Sequence, residues 1–175
     1  MKTKALRIGV LTGGGDCPGL NATIRAVSKS LMINCSAEII GIHDGFLGLI
    51  EQRIMPLNYK VCSGILSQGG TILGTSNTAS PLNYKGKDVS NKVMDYYHSL
   101  GLDALVIIGG DGSLSIAYAM SKLGMNIVGI SKTIDNDLMD TDRTFGFDTA
   151  ISIVTDALDR LRTTGQSHKR VMILE

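Results

Sequence analysis

Four side chains and a set of glycines carry the chemistry legible in this chain. Asp111 stands in the run Ile107-Ile-Gly-Gly-Asp-Gly-Ser113, and Lys132, Asp135 and Asp137 stand in Ser131-Lys-Thr-Ile-Asp-Asn-Asp137. Each run follows an apolar stretch that reads as a buried strand, 103–108 and 126–131. In a parallel α/β sheet, ligands bind beyond the carboxyl ends of the strands. Glycine amides, carboxylates and a lysine at two such ends suit a phosphate chain accompanied by magnesium. A carboxylate flanked by glycines can lie beside phosphate only if a cation bridges the two anions, so Asp111 reads as a direct or water-mediated Mg2+ ligand. Of Asp135 and Asp137, one can accept a proton from an attacking hydroxyl while the other orients metal or substrate. Lys132 can neutralise charge developing on a phosphoryl group. Ser113 is expected both to cap a helix and to donate to phosphate.

A further glycine run, Gly13-Gly-Gly-Asp-Cys-Pro-Gly19, follows the first apolar stretch. It lacks the Gly-Lys-Ser/Thr ending of a P-loop. It is also one residue off the dinucleotide pattern G-x-G-x-x-G, because Pro18 holds the third place and the glycine comes at 19. Its amides and the helix start behind it suit phosphate with either ligand. Asp44, near the end of the second apolar stretch, keeps a nicotinamide-binding alternative open, since an acid there can hold a ribose hydroxyl.

The elements that must position these groups alternate regularly. Strands are expected at 5–12, 37–42, 103–108, 126–131 and from 171. Asn21 reads as the N-cap of a helix to about Ile33, and 88–100 and 113–123 read as helices. Asp148 reads as the N-cap of a helix with Ile151, Val154, Leu158 and Leu161 on one face and Gly165 beyond its end. Residues 50–85 look irregular, with one short helical candidate at 61–67. This alternation predicts an α/β fold: a doubly wound, mostly parallel sheet with helices on both faces, a Rossmann-like three-layer sandwich. The chain stops four residues into an apolar run, which leads us to expect residues 1–175 to be the N-terminal portion of a longer protein.

Composition narrows the classes. The chain has 175 residues, 43% hydrophobic and 19% charged, which suits an ordered core. With 17 basic and 16 acidic side chains and no basic stripe, nucleic acid is not an expected partner. No apolar stretch is long enough to span a membrane, and the N-terminus makes a poor signal peptide, so a cytoplasmic location is expected. Cys17, Cys35 and Cys62 are odd in number and widely spaced, which suits reduced thiols. His43, His98 and His168 share no metal-ligand spacing. Arg160, Arg162, Lys169 and Arg170 cluster near a helix end, either complementing its dipole or forming an anion site.

Six motifs in one collinear order resemble the 6-phosphofructokinase family: Leu11-Thr-x-Gly-Gly-Asp-x-Pro-Gly-x-Asn21, Gly69-Gly-Thr-x-Leu-Gly74, Gly109-Gly-Asp-Gly-Ser113, Thr133-Ile-Asp-Asn-Asp137, Phe145-Gly-Phe-Asp-Thr-Ala150 and Ser167-His-x-Arg170. The resemblance implies transfer of a phosphoryl group from ATP-Mg to the C1 hydroxyl of fructose 6-phosphate, in a homotetramer whose second sequence half completes the sugar site. It implies nucleotide contacts at Gly15, Asn77, Thr78, Gly110, Asp111, Gly112 and Ser113, with Asp111 on the metal. It implies sugar contacts at Thr133, Ile134, Asp135 and Arg170, with Asp135 as the proton acceptor, and effector contacts at Arg25 and Arg162. Asn77 and Thr78 replace an Arg-Phe pair of bacterial members, and Tyr59 and Gly64 replace an Arg and an Asp of their effector site. Lys132 resembles pyrophosphate-dependent members and one ATP-using branch. Gly112 resembles the ATP type, where pyrophosphate users carry aspartate. Two other classes stay open as rivals: a nicotinamide-dependent dehydrogenase and a non-catalytic nucleotide- or phosphoinositide-sensing module.

Overall fold

The computed structural model describes residues 5–174. Its elements run β1 (Arg7–Thr12), α1 (Leu20–Cys35), β2 (Glu38–Ile42), α2 (Phe46–Glu51), β3 (Ile54–Pro56), α3 (Ser90–Ser99), β4 (Ala104–Gly109), α4 (Asp111–Lys122), β5 (Ile127–Thr133), β6 (Phe145–Gly146) and α5 (Phe147–His168). The six strands lie in the order β3-β2-β1-β4-β5-β6. All neighbours are parallel except β2 and β3, which pair antiparallel.

The central strands β1 and β4 are buried along almost their whole length, as strands covered on both faces must be. Side chains alternate between the two faces. Leu11, Ile42, Leu105 and Ile107 join one core with α2, α3 and α4, through Phe46, Leu49, Val93, Tyr97, Ala117 and Met120. Ile8, Val10, Val106 and Ile108 join the other core with α1, through Leu20 and Ile24. Each such large apolar side chain contributes about 1.5–3 kcal/mol on leaving water. The expected doubly wound sheet with helices on both faces is therefore present.

Part of the second face is covered by irregular chain. Leu57, Cys62, Ile65 and Leu73 lie there against β2, and a Cβ at Gly41 would stand 2.5 Å from Leu73, so the glycine admits this close cover. Asn21 pins the segment: its amide donates to the carbonyls of Gln68 and Gly69 at 3.2 and 3.1 Å, and its oxygen accepts from the Ile72 N–H at 2.8 Å. Asn21 is thus occupied in a tertiary contact, and the expected N-cap role falls to Gly19, whose φ of 90° only glycine adopts freely.

Several other expectations are corrected. Gly110 caps α4, so Ser113 sits inside its first turn. Gly146 caps α5, so Asp148 sits in the first turn there, where its carboxylate meets Arg143. No helix forms over 61–67; the chain makes successive turns there. Helix α2 runs into the stretch 50–85 expected to be irregular, and strand β3 lies within it. Helix α5 runs through Gly165, which is its one buried residue, and its apolar residues Ile151, Val154 and Leu158 remain exposed. Residues 171–174 pair with no strand among the described residues, and Val171 and Ile173 are exposed.

Candidate functional site

The chain travels outward from β1 through β2 to β3, then returns to β4 on the other side of β1. The order reverses between β1 and β4, and ligands bind at such a reversal beyond the carboxyl ends. The loop after β1 is Gly13 to Gly19, and the turn after β4 is Gly110 at the start of α4. Ser113 packs so tightly between them that a Cβ on Gly13 or Gly109 would stand 2.6 or 2.5 Å from its side chain. The two glycines bring helix, loop and sheet together at this point.

Above this junction lies a cleft of about 520 Å³. It is lined by Gly15, Asn77, Gly110, Asp111, Gly112, Ser113, Lys132, Thr133, Ile134 and Asp135, all expected at the site from sequence. The first intrahelical bond of α4 runs from the Leu114 N–H to the Gly110 carbonyl at 3.0 Å, which leaves the amides of Asp111, Gly112 and Ser113 for a ligand. The helix dipole adds positive potential at the same place. In the first loop, Gly13 donates to Ile108 and Gly14 to Ser76, so of the amides expected to meet phosphate these two are already engaged.

Lys132 is buried, and its Nζ crosses from β5 to donate to the Gly15 carbonyl at 2.6 Å. An ammonium has three N–H groups. That carbonyl is its one protein acceptor among the described residues, and Lys132 itself lines the cleft. Burial lowers the Lys132 pKa from its ordinary 10.5, against the opposing influence of Cys17 and Asp16. Burial likewise raises the Cys17 pKa, opposed by Lys132 and reinforced by Asp16 and Asp135.

Asp135 begins a loop closed on itself. Its N–H donates to Thr133 Oγ1 at 3.1 Å, Thr144 Oγ1 donates to the Thr133 carbonyl at 2.7 Å, and the Thr144 N–H donates to Asn136 Oδ1 at 2.9 Å. Asn136 takes a φ of 50°, which turns the chain between the two acids. Asp135 therefore lines the cleft, whereas Asp137 lines a neighbouring hollow with Asp111, Leu114, Ser115 and Tyr118. The two carboxylates do not converge as their spacing suggests. Thr78 does not line the cleft either; its N–H and hydroxyl turn to Ser76. Arg25 on α1, Arg162 on α5 and Arg170 line neither this cleft nor the hollow beside it.

Asp16, Cys17, Phe46, Ala79 and Ile116 also line the cleft and were not anticipated. Asp16 and Cys17 lie within a motif already singled out for its glycines. Phe46 belongs to α2, whose six residues are too few to show a helical period. Asp44, the residue behind the nicotinamide alternative, is paired with Arg53.

The fold and site define a mostly parallel α/β domain with a cleft at its switch point, bordered by a helix N-terminus, a buried lysine and a carboxylate. The chain belongs to the phosphofructokinase family: residues 7–175 match the family model described as Phosphofructokinase. It is 49% identical over 170 residues to ATP-dependent 6-phosphofructokinase 2 of Streptomyces coelicolor, a match covering 97% of this chain and 49% of that protein. It is 47% identical over 171 residues to the pyrophosphate--fructose 6-phosphate 1-phosphotransferase of the same organism, covering 97% and 49%. The solved phosphofructokinase of Saccharomyces cerevisiae superposes with a TM-score of 0.83 at 28% identity, covering 94% of this chain and 24% of that one. The chain spans about half the length of these curated relatives.

Proposed function

We propose that the full-length protein is an ATP-dependent 6-phosphofructokinase, transferring the terminal phosphoryl group of ATP to the C1 hydroxyl of fructose 6-phosphate. The observation that carries this reading is the free space over Gly112, in the first turn of α4. A Cβ there would meet nothing within 4 Å, and the backbone needs no positive φ, so the fold itself does not demand glycine. The bare backbone is explained by a ligand that comes close, and Phe46, Ala79 and Ile116 supply apolar contact within the same cleft. Pyrophosphate has no apolar part to use such contacts; a nucleotide has.

Within this reading the amides at the α4 N-terminus and Lys132 hold the phosphates. Asp135 accepts the proton of the attacking hydroxyl, and Thr133 and Ile134 border the sugar. Asp137, facing the neighbouring hollow with Asp111, is left to assist the metal side of the site. No group of three or more His, Cys, Asp or Glu positioned to hold a metal occurs among the described residues. A Mg2+ ion would therefore take most of its ligands from phosphate and water, with Asp111 as the protein ligand, and would supply charge neutralisation. Asp111 has no ion-pair partner among the described residues, which suits that part. We extend the reading to a cytoplasmic homotetramer in which residues 1–175 form the N-terminal portion, Arg170 reaches a sugar phosphate across subunits, and Arg25 and Arg162 serve an effector site.

The second reading is a pyrophosphate donor, which the buried Lys132 favours as a compact counter-charge. Turnover of the full-length protein with MgATP and with magnesium pyrophosphate separates the two. Activity with pyrophosphate alone would overturn the ATP reading.

A further inference from the structure

The segment Leu73–Asn77 is a strap held from two sides. On its inner side, Thr12 Oγ1 donates to the Gly74 carbonyl at 2.7 Å, Thr75 Oγ1 donates to the Gly14 carbonyl at 2.5 Å, and the Gly14 N–H donates to the Ser76 carbonyl at 3.2 Å. Its last residues, Ser76 and Asn77, line the cleft. On its outer side stands Asp44, whose N–H donates to the Leu73 carbonyl at 2.8 Å. Asp44 Oδ1 lies so near Gly74 that a Cβ there would be 2.2 Å away. Asp44 Oδ2 accepts from Arg53 Nη1 at 2.5 Å, and Arg53 Nε donates to Glu51 at 3.0 Å. Asp44 also holds a φ of 50°, a left-handed conformation that non-glycine residues avoid unless their surroundings impose it.

Asp44 does not line the cleft, and no step of the proposed reaction uses it. Its backbone N–H is nevertheless bonded to the strap and one carboxylate oxygen to Arg53, while the other oxygen lies against Gly74. We infer that Asp44, clamped by Arg53, is a positioning residue that sets the strap, and through Gly14 the first glycine loop, for binding of the phosphoryl donor. This assignment rests on reading the cleft as the donor site. Loss of the clamp frees the outer side of the strap while leaving α4, Lys132 and Asp135 in place. Donor binding then weakens and the transfer step does not.

The test uses full-length protein carrying Asp44→Asn, Arg53→Gln, both together, or Arg53→Lys. Each single removal should raise KM for ATP by about tenfold with kcat and the sugar KM held within about twofold. The double variant should be no worse than the worse single, because both substitutions break one interaction. Arg53→Lys should recover part of the loss. Without ligand, hydrogen exchange over residues 73–77 should quicken in the Asn and Gln variants. Unchanged exchange in that segment, additive effects, or a fall in kcat at constant donor KM each overturn the clamp. If the wild type does not use ATP, the donor reading falls by itself, and the exchange result still decides the clamp. If Asp44→Asn does not fold, Arg53→Gln carries the same test through a half-exposed side chain.

Discussion

Lys132 Nζ donates to the Gly15 carbonyl, so a buried ammonium ties the end of β5 to the first glycine loop across the mouth of the cleft. The hydrogen bond also holds the lysine at the wall of the cleft.

If that charge serves the transition state, Lys132→Ala in the full-length protein should lower turnover by roughly 10²-fold or more, on the scale of lost electrostatic stabilisers. ATP binding without sugar should hardly change. Asn77, which lines the same cleft, offers a rescue: Asn77→Arg in the Lys132→Ala background should restore part of the rate. Turnover within about threefold of wild type, under roughly 1 kcal/mol of barrier, would assign the work to another cation.

The lowered Lys132 pKa sets two pH dependences. Activity that needs the ammonium should decline on the alkaline side below the ordinary lysine value of 10.5. For stability, the unfolded chain binds the proton more tightly, so the cost of burying the ammonium is fully present below the folded pKa and disappears above 10.5. Lys132→Met should therefore melt at or above the wild type near neutral pH, with the advantage shrinking as pH rises toward that value, while activity is lost.

Asp135→Ser in the full-length protein should reduce turnover by roughly 10²–10⁴-fold, the usual cost of a lost general base, with little change in sugar-phosphate affinity. Unchanged turnover would remove Asp135 from the base role.

Gly112→Asp places a carboxylate in open space at a helix N-terminus, where a negative charge is tolerated or favoured. Its melting temperature should match or slightly exceed that of the wild type. Its KM for ATP should rise, and any use of pyrophosphate should be spared. Equal ATP kinetics in the two proteins would show that this position does not select the donor.

Thiol reagents should label Cys35 first. It is exposed, whereas Cys17 and Cys62 are buried and burial raises the pKa of both. Mass mapping of the native chain should find Cys17 and Cys62 modified only after denaturant is added.

The parallel core was legible because β1 and β4 are short apolar runs ended by glycine, a pattern that central strands need. The two halves of the cleft were legible for the same reason: strand ends announce loops, and glycines beside acids announce phosphate. What was hidden was direction. Nothing local shows that Asn136 takes a positive φ and sends Asp135 and Asp137 to different hollows. Asn21, Ser113 and Asp148 have good capping chemistry, yet glycines at 19, 110 and 146 hold the caps. Phe46 was invisible because α2 is shorter than two helical turns.

Helix α5 differs from α1, α3 and α4 in how little of it is buried among the described residues. Of its 22 residues, Gly165 alone is buried among residues 5–174, and Ile151, Val154 and Leu158 form an apolar face that these residues leave uncovered. Its N-terminal cap, Gly146, presses on the first glycine loop so closely that a Cβ there would overlap Cys17, and Cys17 donates in turn to the Phe145 carbonyl at 3.4 Å. A shift of this cap would therefore be felt at the first glycine loop. One glycine thus joins the longest helix to the loop beside the cleft, and moving that helix is a route to tuning the cleft from outside it.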